Sequence, residues 1–283
     1  MIVDRNAEAF AEPAVTVIMT VYNGETYLAE AVKSILTQTL TNFEFTIVDD
    51  GSDDDTPAIL AEAEKDPRVR VIRVGRIGRA RALNVAWKNG SAPYVANLDA
   101  DDRAEPQRLE LQLAYLRSHP EIGLLGTAAR LKFEGGGEDQ VRLPEVDNAA
   151  IRRVLLRRNA FVHSSVMIPR HVMEAVGGYN ESYRRTVDHE IGVRIAARYP
   201  VANLPDILTL KRLTPTQYFR TRIYWPDRYR TQTKIRWMAW RKLSGRPRDL
   251  RYVIQSGLAM IGEWYRGQRS RGEEYTPFEA GPG

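Results

Sequence analysis

The sequence predicts an α/β protein in which a mostly parallel, Rossmann-like sheet is flanked by helices. Short apolar strands alternate with amphipathic helices, and two of these strands end in aspartate clusters at residues 49–50 and 99–102. The alternation stops near residue 212, where the composition becomes basic and aromatic. Strands that alternate with helices form parallel sheets, and ligands of such sheets bind beyond the carboxyl ends of the strands. We therefore expect both clusters at a ligand-binding edge.

The elements before the second cluster follow one another as strand and helix in turn. The strands are short β-branched and apolar runs, and the helices carry apolar residues at helical spacing. We predict strands at 15–20, 43–48, 69–74 and 94–98, and helices at 28–36, 57–65 and 80–89.

The elements after the second cluster alternate less regularly. We predict helices at 108–118, 148–158, 171–176 and 188–198, strands at 123–126 and 162–168, and a glycine-rich turn at 134–138. Two more helices are expected after residue 212, on either side of residues 244–247. The second of them carries an apolar face formed by Leu250, Val253, Ile254, Leu258, Ile261 and Tyr265.

These patterns divide the chain into four segments. We predict an N-terminal tail at 1–12, an α/β domain at 13–212, a basic aromatic helical extension at 213–272 and a disordered tail at 273–283.

The composition limits which ligands a metal site could use and indicates where in the cell the protein lies. The 283 residues contain no cysteine and only four histidines, which excludes thiolate ligands and argues against zinc, so any metal is expected to bind oxygen. The N-terminus has no secretory signal pattern, and no apolar run reaches the length of a membrane span. We therefore expect a cytoplasmic protein.

The cluster Asp99-Ala100-Asp101-Asp102 is the main candidate for chemistry. Three carboxylates this close repel one another unless cations compensate them. Mg²⁺ or Mn²⁺ supplies that compensation and is typically held by one or two carboxylates together with substrate phosphates. The alternative is a solvated acidic turn before the helix that follows Pro106. The position directly after an apolar strand favours the metal site.

The cluster Asp49-Asp50-Gly51-Ser52 ends another strand of the same predicted sheet. A carboxylate there could accept hydrogen bonds from a base or a ribose. The alternative is an Asp-Gly turn that starts a helix. Two acidic strand ends at one sheet edge favour a shared ligand.

Several motifs in register resemble the family 2 glycosyltransferases of GT-A fold. The resemblance covers about residues 13–212 and is more specific than any single motif. Its motifs are 15–24, 48–53, Ala82-Leu83-Asn84, 98–102, His163-Ser164-Ser165-Val166-Met167, 176–181 and Asp188-His189-Glu190-Ile191 with Arg194. It implies an inverting enzyme of hexosyltransferase type, which takes a sugar from a UDP-, GDP- or dTDP-linked donor. Such an enzyme would serve the assembly of cell-envelope polysaccharide, glycolipid or glycoprotein glycans.

The resemblance also implies roles on the donor side. Thr20 and Tyr22 would contact the nucleoside, and Asp50 would hydrogen-bond the base. Asp99 would approach the ribose or the metal, and Asp101 would bind the metal that bridges the diphosphate. Asp102 would support the metal ligands without binding the metal itself. Arg79 or Arg81 would neutralise the charge of the diphosphate. For Arg79 and Arg81, the alternative is a solvated position at the start of a helix.

On the acceptor side the resemblance assigns the catalytic base to Asp188. Val187 stands where the family has a glutamate, so Glu190 is kept as the second candidate. Acids in the first turn of a helix are also favoured by the helix dipole, which is the simpler interpretation of both residues. His163 would line the acceptor side, although a histidine in an apolar strand is also a common core residue.

The basic extension indicates a partner of its own. Residues 211–271 contain 16 lysines and arginines against three acidic residues, mixed with tryptophan and tyrosine. This mixture suits an anionic membrane surface, where basic side chains meet headgroups and aromatic rings lie at the boundary. We therefore expect peripheral contact with the inner face of a membrane and a glycan or lipid-linked acceptor. Packing on the α/β domain is the alternative.

Three other functions use some of the same residues. A nucleic-acid-binding protein would use the basic aromatic extension, but no zinc-finger, helix-turn-helix or RNA-binding sheet signature accompanies it. A nucleotidyltransferase would also use paired acids and a metal, but it would not require Asp188. A non-catalytic protein that binds nucleotide is the third alternative, because of Val187.

Overall fold

The computed structural model describes residues 12–136, 138–214 and 225–269. Its strands are β1 (Val15–Val21), β2 (Phe43–Asp49), β3 (Val69–Arg73), β4 (Tyr94–Asn97), β5 (Arg103–Ala104), β6 (Leu124–Phe133), β7 (Gln140–Arg142), β8 (Met167–Pro169) and β9 (Val201–Leu213). Its helices are α1 (Leu28–Leu36), α2 (Thr56–Ala63), α3 (Arg79–Lys88), α4 (Arg108–Ser118), α5 (Asn148–Leu155), α6 (Arg170–Val176), α7 (Val187–Ala196), α8 (Trp225–Ala239) and α9 (Arg251–Arg269).

The strands form one mixed sheet in the order β3-β2-β1-β4-β8-β6-β9-β5, with β7 on β6. The first four strands pair in parallel, and β6 with β9 is parallel as well. β8 runs antiparallel to both of its neighbours, so the sheet is parallel mainly in its first half. The predicted α/β fold is confirmed. Because β1 lies between β2 and β4, the aspartate clusters that follow β2 and β4 flank the carboxyl end of β1.

Apolar side chains form one buried cluster on each side of the sheet. One cluster includes α1, α2 and α4. The other includes α3, α5, α6, α7 and part of α8. In α8, Ile235 and Ala239 are fully buried in the second cluster, so the basic extension packs on α7. None of the helices in the described ranges is long and apolar enough to cross a membrane.

The structure differs from the sequence prediction mainly in the second half of the chain. The strand predicted at 162–168 is a 3-10 turn at His163–Ser165 followed by β8, because the Ser165 amide and hydroxyl both donate to the carbonyl of Val162. The long strand β9 was not predicted, because Pro205 and Asp206 interrupt its apolar pattern at a bulge. The predicted tails at 1–12 and 273–283 lie outside the described residues, apart from Glu12.

Candidate active site

The second aspartate cluster lies in the loop between β4 and β5. One ligand atom from each of Asp99, Asp101 and Asp102 lies within 4.8 Å of the others. Carboxylate oxygens are hard ligands of the kind that Mg²⁺ and Mn²⁺ prefer. The donor set therefore fits the divalent ion that the sequence predicts.

Asp99 is the most strongly paired member of the cluster. Its Oδ1 accepts from Arg79 Nη2 at 2.7 Å and from Asn97 Nδ2 at 3.0 Å, and it lies 3.2 Å from His163 Nδ1. Burial alone would raise the pKa of this carboxyl, but Arg79 and His163 outweigh burial and hold the pKa well below its ordinary value. Asp99 is therefore ionised at neutral pH.

Asp102 is fully buried behind the other two aspartates. It accepts a hydrogen bond from the hydroxyl of Ser164, one from the backbone amide of Arg212 at 2.9 Å and one from Lys211 Nζ at 3.3 Å. Burial, with the charges of Asp101 and Asp99, raises the pKa of Asp102 to about 6 against the opposing effect of Lys211. These contacts hold Asp102 against β9 and favour a role in positioning the other two aspartates.

The first aspartate cluster orders the loop before α3. Asp50 accepts hydrogen bonds from the amides of Ile77 at 2.7 Å and Gly78 at 3.1 Å. This loop leads directly into Arg79, the partner of Asp99. The two clusters are thus joined through the N-terminus of α3.

The remaining donor-side candidates lie at the carboxyl end of β1 and on α3. Thr20 is partly exposed, and Tyr22 is 42% exposed with the guanidinium of Arg76 stacked 3.0 Å from its ring centroid. Arg81 points elsewhere and forms an exposed ion pair with Glu181 at 3.2 Å. Of these two candidate arginines, Arg79 is therefore the one that contacts the aspartate cluster.

Asp188 lies in the first turn of α7, at the rim of a small cavity. The cavity is lined by Leu124, Asn159, Phe161, His163, Val166, Ile168, Tyr179, Asp188 and Ile191. Asn159 Nδ2 donates to Asp188 Oδ2 at 2.8 Å. Burial raises the pKa of this carboxyl, but His163, Arg79 and His189 outweigh burial, and the net shift is downward. Asp188 is thus an ionised carboxylate that can accept a proton.

The backbone before Asp188 adopts a rare conformation. Thr186 caps α7 with a φ of 53°, in the left-handed region that β-branched residues avoid. Val187 follows and is buried in the apolar cluster. The chain therefore enters α7 through a residue in a strained conformation, two positions before Asp188.

Glu190 is bound on both oxygens. Arg194 donates to its Oε1 at 2.8 Å and to its Oε2 at 2.7 Å, and also donates to the carbonyl of Gly178 at 2.7 Å. This buried pair ties α7 to the end of α6. The geometry favours a structural role for Glu190 and leaves Asp188 as the better-placed base.

His163 lies between the aspartate cluster and the wall of the cavity that Asp188 also lines. Its Nδ1 contacts Asp99, and its Nε2 lies 3.0 Å from the hydroxyl of Tyr179. His163 is thus both a buried, hydrogen-bonded residue and a part of the cavity wall.

Sequence reasoning gave no role to Lys211, Ser164, Asn159 or Tyr179. Tyr179 and Ser164 lie inside motifs that carry the family resemblance, so their position was a usable signal. Lys211 and Asn159 carry no local pattern, because they reach the site only through the pairing of β9 and the fold of the loop at 156–162.

The fold and the site together define a class of protein. A mixed sheet flanked by helices, with an acidic cluster after β4, is similar to the fold of GT-A glycosyltransferases. The profile of glycosyl transferase family 2 matches residues 16–175, so the chain belongs to this family.

Relatives support the assignment. The chain is 34% identical over 177 residues to the putative glycosyltransferase EpsE of Bacillus subtilis, a match that covers 62% of each chain. It is 31% identical over 198 residues to the amylovoran biosynthesis glycosyltransferase AmsE of Erwinia amylovora, covering 68% of this chain and 74% of AmsE. The match thus spans less than two thirds of the length of EpsE.

Solved structures share the fold. A TarS fragment from S. aureus in complex with UDP-GlcNAc has a TM-score of 0.68 at 18% identity, covering 81% of this chain and 67% of that one. The mannosyltransferase PcManGT from Pyrobaculum calidifontis, in complex with GDP-Man and Mn²⁺, has a TM-score of 0.60 at 20% identity, covering 94% and 77%.

Proposed function

We propose that the protein transfers a sugar from a nucleotide-diphosphate donor to a hydroxyl of a glycan or lipid-linked acceptor, in the assembly of a polysaccharide or related glycan. One observation carries the proposal: His163 contacts Asp99 of the acidic cluster and lines the same cavity as the ionised Asp188. The ligands of the TarS and PcManGT structures support the donor class, and the role of AmsE in amylovoran biosynthesis supports the polysaccharide.

The donor side has a role for each predicted residue. Asp101 and Asp99 are the proposed ligands of Mn²⁺ or Mg²⁺, which stabilises negative charge on a leaving diphosphate when bound. Arg79 holds Asp99 in place and adds positive charge beside the diphosphate. Thr20 and Tyr22 are proposed to contact the nucleoside. Because the guanidinium of Arg76 covers the ring of Tyr22, it would have to move away for a nucleoside to stack there. Arg81 is the weaker candidate because it pairs with Glu181.

Asp50 has two proposed duties. It holds the loop before α3 through two backbone amides, and its position at the carboxyl end of β2 suits a bond to the donor base. Both duties are compatible because each carboxylate oxygen accepts more than one hydrogen bond.

Asp188 is the proposed base. Its carboxylate takes the proton of the acceptor hydroxyl while the oxygen of that hydroxyl attacks the anomeric carbon. The bond from that carbon to the diphosphate oxygen breaks, and its electron pair leaves with the diphosphate. A single displacement of this kind inverts the configuration. Asn159 orients Asp188, and His163 lines the same cavity on the acceptor side.

A panel of UDP-, GDP- and dTDP-sugars tests the donor proposal. With Mn²⁺ or Mg²⁺, one donor is expected to raise the melting temperature and to be hydrolysed slowly. Asp101→Asn removes a proposed ligand and is expected to abolish this response, whereas Asp206→Asn, at an exposed position of β9, is the matched control. A donor response that needs no metal and survives Asp101→Asn contradicts the proposed site.

We also propose that the extension meets an anionic membrane surface on the cytoplasmic side. In α9, Ile254, Leu258 and Ile261 are about half exposed or more and share one face of the helix. Ser256, on the opposite face, is buried. The apolar face of α9 is thus turned away from the protein, and exposed basic residues such as Arg251 stand near it.

Vesicle binding tests this membrane proposal. The full chain is expected to bind vesicles that contain phosphatidylglycerol and to lose most of that binding when Ile254, Leu258 and Ile261 are changed to glutamine. Leu111→Gln, at an exposed apolar position of α4, is the matched control. Equal binding by the triple variant and the control contradicts the proposal.

A further inference from the structure

Two arginines near Asp188, Arg142 and Arg158, have no role in the proposed glycosyl transfer. Arg142, the last residue of β7, donates from Nη2 to the carbonyl of Asn159 at 3.1 Å. Asn159 in turn donates to Asp188 at 2.8 Å. Arg158 precedes Asn159 in the same loop and is exposed. Both arginines are thus linked to the base through one residue.

Asp188 balances the charges of this pair only in part. Burial lowers the pKa of Arg142, the positive charge of Arg158 lowers it further, and Asp188 opposes the shift. Among the described residues, neither arginine forms an ion pair with a carboxylate. Arg79 and Arg194, by contrast, pair with Asp99 and Glu190. Two neighbouring guanidinium groups without an acid between them form a site for an anion.

The position of the pair assigns the anion to the acceptor. The proposed donor diphosphate lies beside Asp99, Asp101 and Arg79, whereas Arg142 and Arg158 are linked to Asp188 through Asn159. A group bound there lies next to the hydroxyl that Asp188 would deprotonate.

The loop that carries Arg158 is also joined to the extension. Arg236 of α8 donates to the carbonyl of Arg157 at 3.0 Å, and the guanidinium of Arg157 lies 5.6 Å from the ring centroid of Tyr252 in α9. The anion site and the proposed membrane-facing helices are therefore consecutive parts of one surface.

We infer that the acceptor carries a phosphate group and that Arg142 and Arg158 bind it beside the reacting hydroxyl. The inference rests on the proposed glycosyl transfer. A phosphate suits the pair because each guanidinium can offer two parallel N–H donors to its oxygens. The phosphate belongs either to a soluble acceptor or to a lipid-linked one, and the chemistry at the two arginines is the same.

Phosphate binding to the full chain without divalent metal tests the inference. ³¹P NMR titration with inorganic phosphate and with hexyl phosphate is expected to show binding of both to the unmodified protein. The double variant Arg142→Gln/Arg158→Gln is expected to bind each at least about tenfold more weakly. Tighter binding of hexyl phosphate assigns the site to a lipid-linked acceptor, and equal binding assigns it to a soluble one.

Controls separate this test from folding and from the proposed function. Arg117→Gln, exposed on α4 at the other face of the sheet, is expected to bind phosphate as the unmodified protein does. Arg158→Gln alone tests the site if loss of Arg142 disturbs folding. Unchanged phosphate binding in both variants, or no binding by the unmodified protein, overturns the inference. Donor hydrolysis is measured in parallel, and its absence counts against glycosyl transfer and not against the phosphate site.

Discussion

The ammonium group of Lys211 lies 3.3 Å from a carboxylate oxygen of the fully buried Asp102. Burial disfavours the charged form of Lys211, but Asp102, Asp99 and Asp101 outweigh burial and raise its pKa. The end of β9 thereby supplies a cation to the back of the acidic cluster, where three carboxylates would otherwise repel one another.

Lys211→Met is therefore expected to destabilise the protein. Removing one partner of a buried ion pair leaves the other charge uncompensated, and a cost of about 2–4 kcal/mol in the free energy of unfolding follows for a lysine that is itself partly exposed. Urea denaturation measures this. Lys132→Met, which removes a partly exposed pair with Glu134, is expected to cost about 0–1 kcal/mol. Equal costs for the two variants would show that the buried pair is no stronger than a surface pair.

Asp188 and Glu190 are expected to differ in what their loss affects. Asp188→Asn removes the proposed base, and because asparagine keeps the shape and the contact with Asn159, donor affinity and the melting temperature are expected to change little. Transfer is expected to fall by at least about 100-fold, as general-base loss typically does. Glu190→Gln breaks the buried pair with Arg194, and we expect a cost of about 3–5 kcal/mol in stability.

Steady-state transfer assays and thermal denaturation distinguish the two residues. If Glu190→Gln lost transfer while keeping its melting temperature, the base assignment would move from Asp188 to Glu190.

The adjacent glycines at the end of α6 provide a matched pair of variants. Both have positive φ, 75° at Gly177 and 68° at Gly178, so alanine at either is expected to cost about 1–2 kcal/mol. A Cβ at Gly177 would meet no atom within 4 Å, whereas a Cβ at Gly178 would lie 2.6 Å from Asn84 Oδ1 and 2.9 Å from Trp87 Nε1.

Gly178→Ala is therefore expected to be the more destabilising change by a further 1–3 kcal/mol, about the cost of overpacking a core. Chemical denaturation of the two single variants makes the comparison. Equal stabilities of the two variants would mean that the turn at Gly178 can move away from Asn84 and Trp87 of α3 without a cost in free energy.

The alternating first half of the chain was predictable because each strand and helix there shows its own periodicity. The second half of the chain was less predictable. β9 escapes prediction because Pro205 and Asp206 hide its pattern. The apolar residues at 162–168 predict a strand because the bonds from Ser165 to Val162, which form the turn at His163, leave no mark in the sequence pattern. The acidic cluster was found from its position after an apolar strand. Its neighbour Lys211 was not, since only the pairing of β9 with β5 and β6 brings that residue to the site.

Glu44 makes one part of the stability depend on pH. It accepts hydrogen bonds from Thr16 Oγ1 at 2.6 Å and from the amides of Ser91 and Ala92 at 2.5 and 3.0 Å, joining β1 and β2 to the start of β4. Burial raises the pKa of Glu44, but these hydrogen bonds outweigh burial and lower it from 4.5. A depressed folded-state pKa gives stability that is present above the unfolded value and is lost as the pH falls below about 4.5 toward the folded value.

Glu44→Gln is expected to reduce the free energy of unfolding by about 1–2 kcal/mol at pH 7, because charge-assisted hydrogen bonds to three donors are weakened. The difference from the unmodified protein is expected to shrink as the pH is lowered from 5 toward 3, where the glutamate is itself protonated. Urea denaturation at a series of pH values measures the difference. A difference that stays constant across that range would show that Glu44 stabilises the strands through its shape and not through its charge.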